Sequence, residues 1–392
     1  MKLFIYLFLS CSSLFAEKKI WYAPNKFEAY GQEEIQAVVD CLKDGWLAGF
    51  GPKTQEFEKR VAEYFGKKYA LFVNSGSSAN LLALISLGVG AGDEVITPAC
   101  TFATTVAPIV QLGAIPVFCD VAIGTYVPEI EEVVKLITPR TKCILLPNLI
   151  GSKPDWSRLR ELTDLPLIED SCDTFTNTPE TDVATASFYA SHLITACGSG
   201  GMVMFNDERL YKIAMMYRDW GRAGDNAEDI EGRFNYRIDG IPYDSKFLYS
   251  VAGYNLKSSE VNAAFGLVQL QKLSEICKTR RKIFERYLKN LEGTHYILPD
   301  DSKKVDWLAI PLMAKNRLEL LRYLENHGVQ TRLLFAGNIT RHPAYRQFLE
   351  PFSNSDQIME EGFLLGAHQG MSLEDVDYIC KLLKEWESQQ NL

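Results

Sequence analysis

The stretch KYALFVNSGSSANLLALISLGVG, residues 68–90, decides the fold. Its first part, KYALFVN, is a short apolar run typical of a buried strand, and SSANLLALISLGVG has the length and composition of a helix. The alternation continues through residues 94–171, where the apolar runs EVITPAC, IPVFCDV, KCILLPNLI and LPLIEDS are separated by helix-length segments. Apolar strands that alternate with helices are typical of a mostly parallel sheet covered on both faces. The sequence therefore predicts an α/β fold.

The pattern changes near Leu270, where long charged amphipathic helices begin. A strand–helix–strand set and a last helix follow them. A chain of 392 residues is long enough to form two domains. We predict a large α/β domain over residues 17–269 and a small C-terminal α+β domain over residues 270–392. Before the repeat, residues 31–64 predict two helices, and residues 223–246 read as a long polar loop.

The first sixteen residues, MKLFIYLFLSCSSLFA, are set apart from both domains. A single lysine, an apolar run and a small residue before EKK make up the layout of a short secretory signal, too short to span a bilayer. A mis-called start codon, with the first true residue near Lys18, is the alternative.

Composition narrows the class of protein. The chain is 47% hydrophobic and 23% charged, as in soluble globular enzymes, and its net charge is −9. Such a balance predicts neither nucleic acid nor an anionic membrane as a partner. None of its nine cysteines forms a CxC or CxxC pair, so we predict buried, reduced thiols and no metal site.

Polar residues at strand ends suggest a ligand site. Gly76 and Ser77 lie between a strand and a helix, where free N–H groups and the helix dipole favour a phosphate. A Ser-rich helix cap is the alternative. Asp170 ends the strand LPLIED at the edge where open α/β sheets hold ligands. Its carboxylate would suit a protonated pyridine nitrogen, although a surface aspartate is equally consistent with the pattern.

Three further candidates extend this site. Phe102, in PACTFATT, would stack on a cofactor ring or belong to the core. Ser187 is a second candidate for phosphate binding, or else a solvated strand residue. Asn255 and Lys257 stand just before a helix in GYNLKSSEVNAAFG.

His192 lies in SFYASHLITACGSGG, residues 187–201, ahead of a glycine-rich turn. An imidazole cannot form the imine that a lysine amine forms with a carbonyl cofactor, but it can move protons because its pKa is roughly 6.5. No lysine occurs between Lys153 and Lys212. The segment favours proton transfer on a non-covalently held cofactor over a purely structural histidine.

The order and spacing of these motifs resemble the DegT/StrS-type sugar aminotransferases, which use pyridoxal 5'-phosphate on a fold-type-I architecture. The similarity runs from about Trp21 to the C-terminus and includes DGWLAGFGPKTQEFEKRVAEYFG and NSGSSAN. It implies a homodimer in which Asn255 reaches the phosphate of the neighbouring subunit. It also implies that Gly76, Ser77, Asp170 and Ser187 hold the cofactor. Phe102 and Asp173 are further predicted cofactor-binding residues.

Most members carry lysine where this chain carries His192. SFYASH, RDWGR, GYNLK, TRLLFAGN and LLGAHQG resemble the histidine-containing branch, the 4-keto-6-deoxy-sugar-nucleotide 3-dehydratases, which use pyridoxamine 5'-phosphate. The resemblance implies that His192 is the catalytic base, with a nucleotide sugar as substrate and an amino donor such as glutamate. It also implies a role in deoxysugar and lipopolysaccharide O-antigen biosynthesis. Because sugar nucleotides are cytosolic, a cytoplasmic location is expected.

One subgroup, acting on CDP-sugars, carries a 2Fe–2S cluster on cysteines just after RDWGR. Here AGDNAEDIEG follows Arg222, so we expect no iron–sulfur cluster. The chain departs from the pattern at Ser199, where glutamate is usual, and in the short segment between Asp173 and Ser187. Two alternatives stay open: a non-catalytic binding protein, and an ordinary aminotransferase that uses Lys257.

Overall fold

A computed structural model describes residues 19–24, 28–223 and 229–390, so the segment 1–16 lies outside the described residues. The helices are α1 Gln32–Asp44, α2 Pro52–Phe65, α3 Gly76–Ser86, α4 Ala103–Gln111, α5 Ile130–Lys135, α6 Trp156–Leu162, α7 Glu208–Arg218, α8 Ile230–Arg233, α9 Glu260–Leu291, α10 Arg317–Asn326, α11 Ser353–Glu361 and α12 Leu373–Gln390. The strands are β1 Tyr69–Val73, β2 Glu94–Pro98, β3 Ile115–Cys119, β4 Thr141–Pro147, β5 Leu167–Ser171, β6 Val183–Ser187, β7 Gly201–Phe205, β8 Tyr236–Ile238, β9 Ile241–Tyr243, β10 Ala309–Met313, β11 Arg332–Leu333 and β12 Gly362–Gly366.

A seven-stranded sheet in the order β1-β7-β6-β5-β4-β2-β3 forms the centre of the molecule. Strand β7 is antiparallel to both neighbours, and the pairs from β6 to β3 are parallel. The carboxyl ends of β4, β5 and β6 therefore meet at one edge of the sheet. The predicted mostly parallel α/β fold is confirmed.

Strand β1 and helix α3, predicted from residues 68–90, show how the sheet is covered. Leu71 and Val73 of β1 pack with Leu82 and Leu84 of α3 in one buried cluster. The other face of β1 contributes Phe72 to the main core, where its ring meets Phe57 of α2 edge-on at 5.1 Å. Because successive strand side chains point to opposite faces, an all-apolar strand requires cover on both sides.

The two helices predicted within residues 31–64 are present as α1 and α2. Pro52 stands in the first turn of α2, where its missing N–H costs no hydrogen bond. The preceding loop is held by Glu260, whose carboxylate accepts hydrogen bonds from the N–H groups of Gly51, Lys53 and Thr54 at 2.8–3.1 Å. The N-terminal helices are thereby fixed to the start of α9.

The prediction of a long loop over residues 223–246 is wrong from Ile230 onward, where the short helix α8 precedes two strands. Strands β8 and β9 pair there as a hairpin whose tip is Asp239-Gly240. Both tip residues have positive φ, 51° and 83°, which is the backbone that an Asp-Gly two-residue turn favours. The Asp-Gly pair between apolar residues was the signal for this hairpin.

A second, three-stranded antiparallel sheet in the order β10-β12-β11 lies in the C-terminal part. Helix α9, with 32 residues, leads to it. The predicted division between residues 269 and 270 falls inside this helix, and the two-domain organisation stays a prediction.

Candidate active site

A cavity of about 410 Å³ opens at the carboxyl edge of the central sheet. Seven of the eight predicted site residues line it: Gly76, Ser77, Phe102, Asp170, Asp173, Ser187 and His192. The small sheet closes the cavity from the other side through Arg332, Leu333 and Leu364. The sheet topology thus gathers residues that are more than a hundred positions apart in sequence.

The turn at Gly76 shapes one end of the cavity. Ser75 caps α3 by accepting a hydrogen bond at Oγ from the Ser78 N–H at 3.1 Å, and Gly76 and Ser77 form the first turn beside the cavity. N–H groups of a first turn have no acceptor within their own helix. A Cβ on Gly76 would lie 2.5 Å from Cys172 Sγ and 2.8 Å from Ser187 Cβ. Only glycine permits this close approach of α3 to the sheet.

Asp170 is buried at the end of β5 and held on both oxygens. Its Oδ2 accepts hydrogen bonds from Asn80 Nδ2 at 2.8 Å and Thr105 Oγ1 at 2.9 Å, and its Oδ1 accepts one from the Cys172 N–H at 3.2 Å. Asn80 is fixed in turn, because its Oδ1 accepts from Thr185 Oγ1 at 2.7 Å. The surface-aspartate alternative is therefore wrong for this position.

His192 and Asp173 form the opposite part of the wall. His192 Nε2 lies 3.9 Å from Asp173 Oδ1, and Nδ1 is buried with no hydrogen-bond partner among the described residues. Burial lowers the pKa of His192 to about 4, so the imidazole is neutral at pH 7. Burial likewise raises the pKa of Asp173 to about 7, although the Ile150 N–H donates to its Oδ2 at 2.8 Å. The pair combines an unprotonated base with a carboxyl group that titrates near neutrality.

Phe102 faces the cavity rather than the core. Its side chain is 54% exposed, and its ring meets Phe335 edge-on at 6.0 Å. Asn255 is the predicted residue that the structure does not bring to the cavity. It is exposed and forms a β-bridge with Asp219. The roles of all eight residues toward a cofactor stay predictions.

Several residues of the site were missed from sequence. Asn80 and Thr105 hold Asp170, yet they belong to the quoted motifs NSGSSAN and PACTFATT. Tyr22 and Arg332 also line the cavity. Arg332 lies in TRLLFAGN, a motif used only for its likeness to relatives. No periodicity or local motif places an N-terminal tyrosine beside a residue of β11.

The two departures from the family pattern, Ser199 and the short segment after Asp173, do not remove His192 or Asp173 from the cavity wall. Ser199 is exposed and is not among the cavity residues. The short segment after Asp173 is threonine-rich, and Thr176, Thr178 and Thr181 all donate to the buried carboxylate of Glu169 at 2.6–3.2 Å. These bonds order the segment without a glycine-rich stretch.

The residues present fit a pyridoxal phosphate-type cofactor. The N-terminus of α3, where close packing requires glycine at position 76, suits the phosphate. The hydrogen-bonded carboxylate of Asp170 at the sheet edge suits a pyridine nitrogen. No lysine of the described residues lines the cavity. Fold and site together define a fold-type-I enzyme of the pyridoxal phosphate-dependent class.

Comparison with known proteins identifies the family. The profile of the DegT/DnrJ/EryC1/StrS aminotransferase family matches residues 28–384, and the chain belongs to this family. The lipopolysaccharide biosynthesis protein RfbH of Salmonella typhimurium is 36% identical over 93% of this chain and 91% of its own length. The dTDP-4-dehydro-2,6-dideoxy-D-glucose 3-dehydratase of Saccharopolyspora spinosa is 36% identical over 91% of this chain and 84% of its own.

A solved structure shows the same fold. The GDP-4-keto-6-deoxy-D-mannose-3-dehydratase of Escherichia coli with bound hydrated PLP superposes with a TM-score of 0.83 at 26% identity. The match covers 93% of this chain and all of that chain (100%). The predicted family is therefore confirmed, and its similar members include 3-dehydratases.

Among the described residues, Cys100, Cys119 and Cys143 are buried and free, as predicted. The prediction is wrong for Cys197, which is exposed, and Cys172 and Cys277 are only partly buried. Residues 19–24, 28–223 and 229–390 contain no helix both long and apolar enough to cross a membrane. The same ranges contain no group of three or more His, Cys, Asp or Glu suited to a metal ion.

The absence of an iron–sulfur cluster is testable. No cysteine lies between Cys197 and Cys277, and such a cluster needs about four protein ligands, usually cysteines. Anaerobically purified protein should contain less than stoichiometric iron by elemental analysis and show no visible charge-transfer bands. Stoichiometric iron would mean that distant cysteines converge on a cluster.

Proposed function

We propose that this protein is a pyridoxamine phosphate-dependent 3-dehydratase of a nucleotide-linked 4-keto-6-deoxy sugar, acting in deoxysugar and lipopolysaccharide O-antigen biosynthesis. The observation that carries the proposal is the position of His192. A half-buried, neutral imidazole lines the cavity, and no lysine of the described chain does so. The similarity to two named 3-dehydratases supports the same activity.

Gly76, Ser77 and Ser187 would hold the cofactor phosphate, Asp170 the ring nitrogen, and Phe102 the ring face; Asp173 would bind a polar group of the ring. When bound, the cofactor would supply an amine that condenses with the sugar's C4 ketone and a ring that takes up negative charge. An amino donor such as glutamate would supply that amine.

His192 supplies the proton transfers. Its side chain lines the cavity, and a ring nitrogen of the neutral imidazole can accept a proton from the reacting carbon. The same nitrogen can then return the proton to the departing C3 hydroxyl, so His192 both removes and returns the proton. General acid–base help of this kind contributes roughly 10²–10⁴-fold to the rate.

Structure weakens the two alternatives. An aminotransferase would need Lys257, but Lys257 Nζ pairs with Asp219 Oδ2 at 3.1 Å, lies over the Trp220 ring at 4.7 Å and is not among the cavity residues. A non-catalytic binding protein was suggested by Ser199 and by residues 1–16. Ser199 lies away from the cavity, and residues 1–16 lie outside the described residues.

We further propose a homodimer. Large apolar side chains are exposed around Asn255, among them Trp220 at 39% and Tyr254 at 42%. The loop before α2 adds Trp46 at 50% and Phe50 at 38%. Contiguous exposed aromatic residues mark interfaces. A cytoplasmic location is part of the proposal, because sugar nucleotides are cytosolic.

The non-covalent cofactor linkage gives a direct test. After loading with pyridoxal phosphate and borohydride reduction, the intact mass of the polypeptide should be unchanged, because His192 cannot form a reducible imine. His192→Lys provides the positive control and should gain one phosphopyridoxyl group. A stable adduct on a single lysine of the unaltered protein would restore the aminotransferase alternative.

A further inference from the structure

Arg332, in β11, is the one arginine or lysine among the described residues that line the cavity. The other charged groups of the wall are the carboxylates of Asp170 and Asp173 on the large-sheet side. In the described part of the chain Arg332 forms no ion pair, and the hydrogen bond it makes runs from Nη1 to the Thr331 carbonyl oxygen at 2.8 Å. A guanidinium has five N–H donors, so most of its binding capacity is unused by the protein.

Tyr22 holds the guanidinium in place. The Arg332 Cζ lies 5.6 Å from the centre of the Tyr22 ring, within the range of a cation–π contact. Tyr22 itself is anchored, because its N–H donates to Gln330 Oε1 at 3.0 Å. The chain before it pairs with the small sheet through Ile20 N–H to the Gly328 carbonyl at 2.8 Å. The anchored Tyr22 ring therefore supports the Arg332 guanidinium at the cavity wall.

Two other cations, Arg280 and Lys257, contact acceptors of the protein and are not among the cavity residues. Arg280, fully buried behind Leu308, donates from Nη1 to the carbonyl oxygens of Leu308 and Ala367 at 2.8 and 3.1 Å. Lys257 pairs with Asp219. Arg332 alone of these three combines cavity exposure with the lack of a carboxylate partner.

A planar guanidinium fork matches carboxylate and phosphate oxygens, and a charge facing a cavity with apolar walls attracts an opposite charge strongly. We propose that Arg332, supported by Tyr22, is an oxyanion-binding subsite for the reaction partners. Its ligand is a carboxylate of the amino donor or a phosphate of the nucleotide sugar. This inference rests on the proposed function, since that function supplies both anions.

The test compares Arg332→Gln, which removes the charge, with Arg332→Lys, which keeps the charge and loses the fork. Arg322→Gln, on the exposed face of α10, is the matched control for loss of one positive charge. Circular dichroism and the melting temperature establish that each variant folds. One arm follows the spectral conversion of the pyridoxal phosphate-loaded protein by L-glutamate. The other measures Kd for GDP, CDP and dTDP by calorimetry on full-length protein.

Arg332→Gln should raise one of two quantities by about 10- to 100-fold: the glutamate concentration that gives half-conversion, or the Kd for the nucleotides. That is the loss expected for charge-assisted hydrogen bonds. Arg332→Lys should recover part of the loss, and Arg322→Gln should match the unaltered protein. A loss confined to the glutamate arm assigns the donor carboxylate, and a loss confined to the nucleotide arm assigns the phosphate. If both arms of a folded Arg332→Gln protein match the control, the subsite does not exist.

The outcome separates this inference from the proposed function. If L-glutamate fails to convert the unaltered protein while nucleotide binding still depends on Arg332, the proposed function is wrong and the oxyanion subsite stands. If the unaltered protein performs 3-dehydration and Arg332→Gln binds both probes normally, the function stands and the subsite is wrong.

Discussion

Replacing His192 by asparagine is expected to slow the 3-dehydration reaction at saturating substrate by roughly 10²–10⁴-fold, the contribution of a general base. Asparagine occupies similar space but cannot accept a proton near pH 7. Because burial lowers the pKa of His192 to about 4, the imidazole of the unaltered protein is in its base form at that pH. The measurement is steady-state release of a 3-deoxy-4-keto product and ammonia, with glutamate as amino donor.

Cofactor affinity and fold should survive this change, since the asparagine amide occupies similar space and the proposed cofactor contacts of Gly76, Ser77 and Asp170 are left unaltered. His295→Asn is the matched control, because the His295 side chain is 80% exposed and outside the cavity. It should turn over normally. Near-normal turnover by His192→Asn would exclude His192 as the base, whereas release of a 4-amino sugar by the unaltered protein would identify an aminotransferase.

The sequence was sufficient for the fold because each strand from β1 to β5 is a short apolar run bounded by a helix-length segment. A parallel sheet with both faces covered follows from that pattern. The reversed direction of β7 was not predictable in the same way. It follows a turn rather than a helix. Its position between β1 and β6 depends on long-range strand pairing, which local composition does not indicate.

The candidate site was predictable where one residue type suits one chemical task. Gly76 at a helix start, Asp170 at a strand end and His192 before a glycine-rich turn all line the cavity. The residues that support them were not found. Asn80 holds Asp170 from ninety positions away, and an asparagine inside a helix has no distinctive pattern. Long-range hydrogen bonds of this kind are set by packing, which a single sequence does not display.

That supporting network makes Asp170→Asn the second large effect. In the present arrangement Asp170 Oδ2 accepts from two donors, Asn80 Nδ2 and Thr105 Oγ1, and Oδ1 accepts from the Cys172 N–H. Asparagine would place an NH₂ donor against at least one of these donors. Each buried donor left without an acceptor costs about 1–3 kcal/mol. The variant also lacks the carboxylate that would face a protonated ring nitrogen.

Asp170→Asn is therefore expected to weaken cofactor binding by about 10- to 100-fold, on the scale of a lost charge-assisted hydrogen bond. It should also slow 3-dehydration at saturating cofactor. His192→Asn, by contrast, should slow the reaction without weakening cofactor binding. Spectroscopic titration with pyridoxamine phosphate, followed by the turnover rate with cofactor in excess, separates the two effects. Thr105→Val keeps the carboxylate and removes one donor, so it should change both quantities much less. If Asp170→Asn matched Thr105→Val in affinity and rate, the carboxylate would serve only to hold α3 and α4 against the sheet, and the ring-nitrogen role would be wrong.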